Sequence, residues 1–212
     1  MVVVIHGGSW TATYGKSVTK AISADLARRG HAAWNIEYRR LGRGQEGGWP
    51  ATFDDVGAAI DHLSELADPR LDLDDVSLVG HSAGGQLALW AAAQGDSRVR
   101  FRRVVAQAAP CDLTAAGAAR ELLGGTPDQV PERYALADPM QLLPLGIPIL
   151  VVHGASDRTV PVIRSRRFAE AARAAGDEVT LVEPEPGGHR THLDPRSKAW
   201  RLAAEWLTDR SV

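Results

Sequence analysis

Cysteine is almost missing from this 212-residue chain: Cys111 stands alone, so no internal disulfide can form. With no base among its neighbours, Cys111 reads as a small buried side chain. Nor is there an apolar run approaching the roughly 18 residues that a membrane-crossing helix requires. Charge of one sign is not in excess either, since 24 Lys and Arg stand against 26 Asp and Glu. That balance leaves no basic face for nucleic acid and no block of like charge that would mark a tail. The start, MVVVIHGG, lacks the charged segment and long apolar run of a secretory signal, and a cytoplasmic location is the expectation. It reads as a strand from the first residue: either the fold starts abruptly there or sequence upstream belongs to it. Metal ligands are also thin. His189 and His192 with Asp194 come nearest, in a loop with no further His or Cys close by, and no metal or cofactor is expected. The run Asp72-Leu73-Asp74-Asp75 does not have the spacing of a calcium loop.

What the chain does have is alternation. Short Val/Ile/Leu-rich runs at Val2–His6, Ala32–Tyr38, Val76–Gly80, Arg103–Ala108, Ile147–His153 and Glu178–Glu183 read as strands. They are mostly continuous rather than alternating, as suits strands covered on both faces. Helical patterns lie between them at Lys16–Arg29, Phe53–Leu66, Gly84–Gln94, Pro161–Ala175 and Lys198–Asp209, with Gly30 and Gly176 as left-handed stops. The implied fold class is α/β: a doubly wound, mainly parallel sheet of about six strands, in the order 2-1-3-4-5-6. The length fits one domain over 1–212, and such a domain buries roughly 70% of its unfolded surface without staples. Two excursions, at 41–50 and 111–146, are expected to lie over the strand ends and to supply the pocket walls.

Chemistry concentrates in the loops after the strands. Gly80-His81-Ser82-Ala83-Gly84 is a G-x-S-x-G turn between a Val/Leu strand and an Ala/Leu helix. Such an elbow holds a serine in tight backbone geometry and aims the helix N-terminus at the reacting centre. The bland alternative makes Ser82 a plain N-cap. His6-Gly7-Gly8-Ser9-Trp10 follows the first strand, where glycines let main-chain amides approach a substrate. Gly8 and Ser9, with Ala83, are the candidate oxyanion donors. An acid and a base should follow in the order Ser, Asp, His. Asp157, just past the fifth strand, and His189, past the sixth, are the candidates, against a turn-capping role for Asp157 and against His192 as the base. His6 and His153 are expected to brace these loops.

Four segments carry a resemblance: HGGSW at 6–10, GHSAGG at 80–85, HGASDRTVP at 153–161 and GHRTHLDP at 188–195. With GGWPATFDDV, which ends at Val56, they resemble the α/β-hydrolase superfamily over nearly the whole chain. More narrowly, they are similar to small esterases and kynurenine-formamidase-like or prolyl-oligopeptidase-like hydrolases with an HGGxW oxyanion motif. In that group the catalytic histidine stands five residues before an Asp-Pro pair, which points to His189. The resemblance also implies two further strands ahead of the first one here. Without them Ala32–Tyr38 is an exposed sheet edge, where a second copy can pair as a homodimer.

The expected activity is a serine hydrolase acting on short-chain or aryl carboxylic esters through an acyl-enzyme, with a small-molecule substrate and neither nucleic acid nor membrane as partner. An arylformamidase with the same three residues is the alternative; a non-catalytic binding module of this fold is a third reading. Trp10, Trp49 and Tyr134 are candidate walls of an aromatic-accepting pocket, against simple packing.

Overall fold

The computed structural model describes residues 1–66, 68–95 and 97–209. Six strands, β1 (Val2–Ile5), β2 (Ala33–Ile36), β3 (Val76–His81), β4 (Phe101–Gln107), β5 (Ile149–Val152) and β6 (Val179–Val182), form one sheet in the order β2-β1-β3-β4-β5-β6. Every pairing is parallel, so the sheet is wholly rather than mainly parallel. Every residue of β1 and β3 is buried, as their continuous apolar runs require.

Period-two alternation divides the core. Val3, Ile5, Leu78, Val104, Ala106 and Val151 face one layer with α2 (Ala51–Asp61), α3 (Ala83–Ala92) and α6 (Ile163–Ala175). Val2, Val4, Val79, Val105, Leu150 and Val152 face the other, against α1 (Lys20–Arg28) and α7 (Lys198–Thr208). This two-sided cover is the doubly wound arrangement. All ten residues of α3 are buried, which its Ala, Gly and Leu content permits. The expected first helix opens with a 3-10 turn at Lys16–Thr19, and the expected second closes with one at His62–Glu65. Gly30 and Gly176 take the left-handed conformation at the expected helix ends.

The register matters most for function. Ile5 pairs with Gly80, Gly80 with Ala106, Ala106 with Val151 and Val151 with Leu181. One line therefore crosses five strands, and the segments beginning at His6, Ser82, Ala108, His153 and Glu183 all leave the sheet at the same edge.

The 111–146 stretch departs from expectation. It contains α4 (Ala119–Leu123) and α5 (Pro131–Ala137), and its Leu113, Ala119, Leu122 and Leu123 are fully buried. Both helices are too short for a periodic signal, and Gly124-Gly125 and the scattered prolines conceal them. The 41–50 loop also packs inward: the Trp49 amide donates to the Leu122 carbonyl, and the Leu41 amide to that of Trp10.

Candidate active site

The elbow is built by contacts that exclude side chains. A Cβ on Gly80 would stand 2.0 Å from the Gly84 carbonyl oxygen, and one on Gly84 would stand 2.2 Å from that of Ile5. Only bare backbone lets β3 turn into α3 while α3 rests against the end of β1. Ser82 pays the conformational cost, with φ 53° and ψ −123°, outside the favoured regions for an L-residue. The turn is pinned by its amide donating to the Gln107 carbonyl at 2.8 Å, and by Gly85 and Gln86 amides donating to its own carbonyl. Its side chain makes no capping hydrogen bond to α3, so the N-cap alternative does not describe it.

Ser82 Oγ lies 3.0 Å from His189 Nε2, and His189 Nδ1 lies 2.7 Å from Asp157 Oδ2. Because a carboxylate only accepts, Nδ1 carries the proton and Nε2 presents its lone pair to the serine hydroxyl. Asp157 is fully enclosed and its other oxygen, Oδ1, accepts the Thr159 and Val160 amides at 2.7 and 2.9 Å. Burial acts to raise this carboxyl, but His189 and the two amides outweigh it and hold it below its ordinary value.

Each loop is braced. His153 Nε2 donates to the Val160 carbonyl at 2.8 Å and also stands 3.2 Å from Asp157 Oδ2, while its Nδ1 meets Ser165 Oγ at 2.7 Å. Burial depresses the His153 imidazole, in keeping with a neutral brace. His81 Nε2 donates to the His189 carbonyl at 2.7 Å, and burial lowers its pKa to about 4. The acid and base loops touch main chain to main chain: the Ser156 amide donates to the Gly187 carbonyl at 2.9 Å, and a Cβ on Gly154 would lie 2.3 Å from that oxygen.

The Gly7–Trp10 segment faces the elbow. A Cβ on Gly7 would lie 3.0 Å from Ser82 Cβ. Gly8, Ser9 and Trp10 all have positive φ, and the amides of Gly8, Ser9 and Ala83 have no acceptor among the described residues. Two of those three φ values belong to non-glycine residues and must be enforced from outside. Trp10 Nε1 donates to Gln86 Oε1 at 3.1 Å, and Gln86 Nε2 donates to the Ala137 carbonyl at 3.0 Å. Gln86 escapes sequence reasoning; its signal is a lone polar side chain on an otherwise apolar helix.

Two cavities meet at Ser82. One, of about 190 Å³, is walled by Trp10, Ala83, Pro110, Ala116–Ala118 and Val160 with Arg164 at its margin. The other, of about 230 Å³, is walled by Gly7, Gly8, Tyr14, Val18, His189, Arg190 and Leu193. The 41–50 loop lines neither cavity, because it is spent on packing against Trp10 and α4, and only residues 116–118 of the second excursion reach the site. Among the expected aromatic walls only Trp10 contributes. Trp49 packs on Phe53, and Tyr134 is buried with its hydroxyl on the Gly125 carbonyl.

His192 is fully buried 5.9 Å from the His81 ring, its pKa lowered to about 3 chiefly by burial, and neither of its ring nitrogens hydrogen-bonds to Ser82 or to any other described residue. Cys111 is buried and its thiol is pushed up to about 12 by desolvation. Among the described residues, no group of three His, Cys, Asp or Glu side chains is placed to hold a metal, and no helix is long and apolar enough to cross a membrane.

A parallel sheet in this order, with a serine on its strand–helix elbow and an acid and a histidine on later loops of the same edge, defines an α/β-hydrolase fold. The chain belongs to the BD-FAE family, which matches residues 1–172. His189 lies beyond that segment, and its place in the site rests on geometry. Esterase LipQ of Mycobacterium tuberculosis is 26% identical over 230 residues, covering 99% of this chain and 54% of LipQ, so the chain spans about half of that relative's length. Among solved structures, a bifunctional GH43-CE protein of Bacteroides eggerthii superposes with a TM-score of 0.82 at 25% identity, over 98% of this chain and 31% of its own. A truncated carbohydrate esterase from gut microbiota gives 0.84 at 24% identity, over 98% of this chain and 84% of its own, and likens the fold alone.

Proposed function

We propose that this protein hydrolyses carboxylic esters, with Ser82 as nucleophile, His189 as general base and acid, and Asp157 as the carboxylate that orients it. The observation that carries the reading is the continuous chain from Ser82 Oγ through His189 to Asp157 at 3.0 and 2.7 Å. Ser82 Oγ attacks the carbonyl carbon as its proton passes to His189 Nε2, and the carbonyl oxygen takes the negative charge beside the Ser9, Gly8 and Ala83 amides. Collapse breaks the ester C–O bond, and His189 gives its proton to the departing alkoxide. Water, deprotonated by His189, then cleaves the acyl-enzyme and regenerates the serine.

That proton delivery also orients the substrate. The leaving alcohol must stand on the His189 side, in the cavity with Tyr14, Arg190 and Leu193, and the acyl group occupies the cavity beside Trp10 and Ala116–Ala118. A modest acyl cavity supports short-chain or small aryl acyl groups. An N-formyl amide fits the same machinery, formyl being the smallest acyl group; kcat/KM on p-nitrophenyl acetate against N-formylkynurenine separates the two, the ester being preferred. A fluorophosphonate should label Ser82 in the wild type and not in Ser82→Ala. An unlabelled, folded wild type would instead favour a binding module. The unpaired side of β2 is the surface on which a second copy would add, and a monomeric mass by light scattering at high concentration removes that homodimer.

A further inference from the structure

His6 lies outside the Ser–His–Asp set, yet it is fully buried at the root of the Gly7–Ser9 loop. Its Nδ1 is 2.8 Å from the Gly7 carbonyl oxygen, and its Nε2 is 2.6 Å from Glu37 Oε1. A carbonyl oxygen has no proton to give, so Nδ1 must donate. Glu37 is an acceptor as well. Its Oε2 receives the Lys16 amide at 3.1 Å, and Arg40 Nε stands 3.7 Å from Oε1. Glu37 is 38% exposed and, apart from His6, faces only donors, the Lys16 amide and the Arg40 guanidinium, so its carboxyl is ionised without help from the ring. Facing an ionised carboxylate, Nε2 must donate too. With both nitrogens donating, the ring is a cation. Tyr38 stacks on it at 4.3 Å and 6° between planes, a face that attracts positive charge, and the Tyr38 hydroxyl donates to the His6 carbonyl at 2.8 Å.

We propose that His6 is held as an imidazolium by Glu37 and that it polarises the oxyanion loop through the Gly7–Gly8 peptide. The Gly7 carbonyl that accepts from Nδ1 belongs to the same conjugated unit as the Gly8 N–H. A charged donor on the oxygen draws electron density from the nitrogen and makes that N–H a stronger donor to the developing oxyanion. His6 touches no reacting atom and is a positioning residue; the proposal rests on the reading of Gly8 as an oxyanion donor.

The test joins a spectroscopic and a kinetic readout. In the wild type at neutral pH, 15N NMR of imidazole-labelled protein, assigned by loss of signal in His6→Gln, should show both His6 nitrogens protonated. In Glu37→Gln, which keeps size and removes charge, one nitrogen should become bare. On an activated ester, kcat should then fall roughly tenfold at nearly constant KM, less than the ~100-fold typical of deleting a direct oxyanion donor. Glu37→Asp, which keeps the charge, should recover part of that loss. A bare His6 nitrogen in the wild type, or an unchanged kcat in Glu37→Gln with its nitrogen bare, overturns the proposal. A wild type that neither hydrolyses esters nor takes up a fluorophosphonate overturns the esterase reading and the catalytic role of His6 with it, a result distinct from either of those.

Discussion

At the scale of single residues, the two loop histidines give opposite expectations. His189→Ala should lower kcat by ~10³-fold or more, since the three residues act as a unit. His192→Ala should stay within about tenfold of wild-type kcat and show its effect in thermal stability, because His192 is a buried packing group. Steady-state kinetics on one activated ester checks both. Asp138 gives a pH prediction. Burial raises its carboxyl to about 6, against the pull of the Leu113 and Met140 amides. The folded protein therefore retains this proton where the unfolded chain has lost it. Relative to Asp138→Asn, wild-type stability should be highest below the ordinary value of 3.8, fall as pH rises through about 6, and level off above. The total change is at most about 3 kcal/mol, measurable by urea unfolding across pH. Ser82, Asp157 and His189 stood out in the sequence because each follows a strand at a motif with steric or chemical logic. Glu37, Gln86 and Asp138 did not, because each takes its place through at least one partner distant in the chain, His6, Trp10 and Leu113 respectively, and neither spacing nor composition marks them.

At the scale of elements, glycine sets the tolerances. Gly84→Ala would drive a methyl into the Ile5 and His6 carbonyls, which stand 2.2 and 2.4 Å from the ideal Cβ position. It should destabilise the fold by more than about 2 kcal/mol and lower kcat by separating the elbow from the oxyanion loop. Gly154→Ala is the subtler case. Its methyl would meet Gly187 rather than the elbow, so the base loop should shift, kcat should drop at least about tenfold, and fluorophosphonate labelling of Ser82 should slow in parallel. Labelling at the wild-type rate in a folded Gly154→Ala would show that the base loop tolerates the shift. The strands were legible because continuous Val/Ile/Leu runs bounded by glycine have few other uses. The short helices α4 and α5 were not, since one or two turns cannot display a helical period and their stability comes from docking on the core.

At the scale of the whole molecule, the sheet order was legible because parallel strands with helical crossovers admit few arrangements and the right-handed rule removes most of them. The cavity walls were not, since they depend on how loops pack over the sheet edge. The sheet's continuous core on both faces leads us to expect one cooperative thermal transition, with calorimetric and van't Hoff enthalpies equal; two resolved transitions would reveal separable units. The twin hollows flanking Ser82 carry a kinetic corollary. On the proposed acyl-enzyme route, the space beside His189 stands open once the first product departs while the acyl group stays attached, and anything hydroxylic that fits there competes with water for the same carbonyl. Methanol or glycerol in the assay should therefore divert part of the flux into a new ester, visible by chromatography as transacylation.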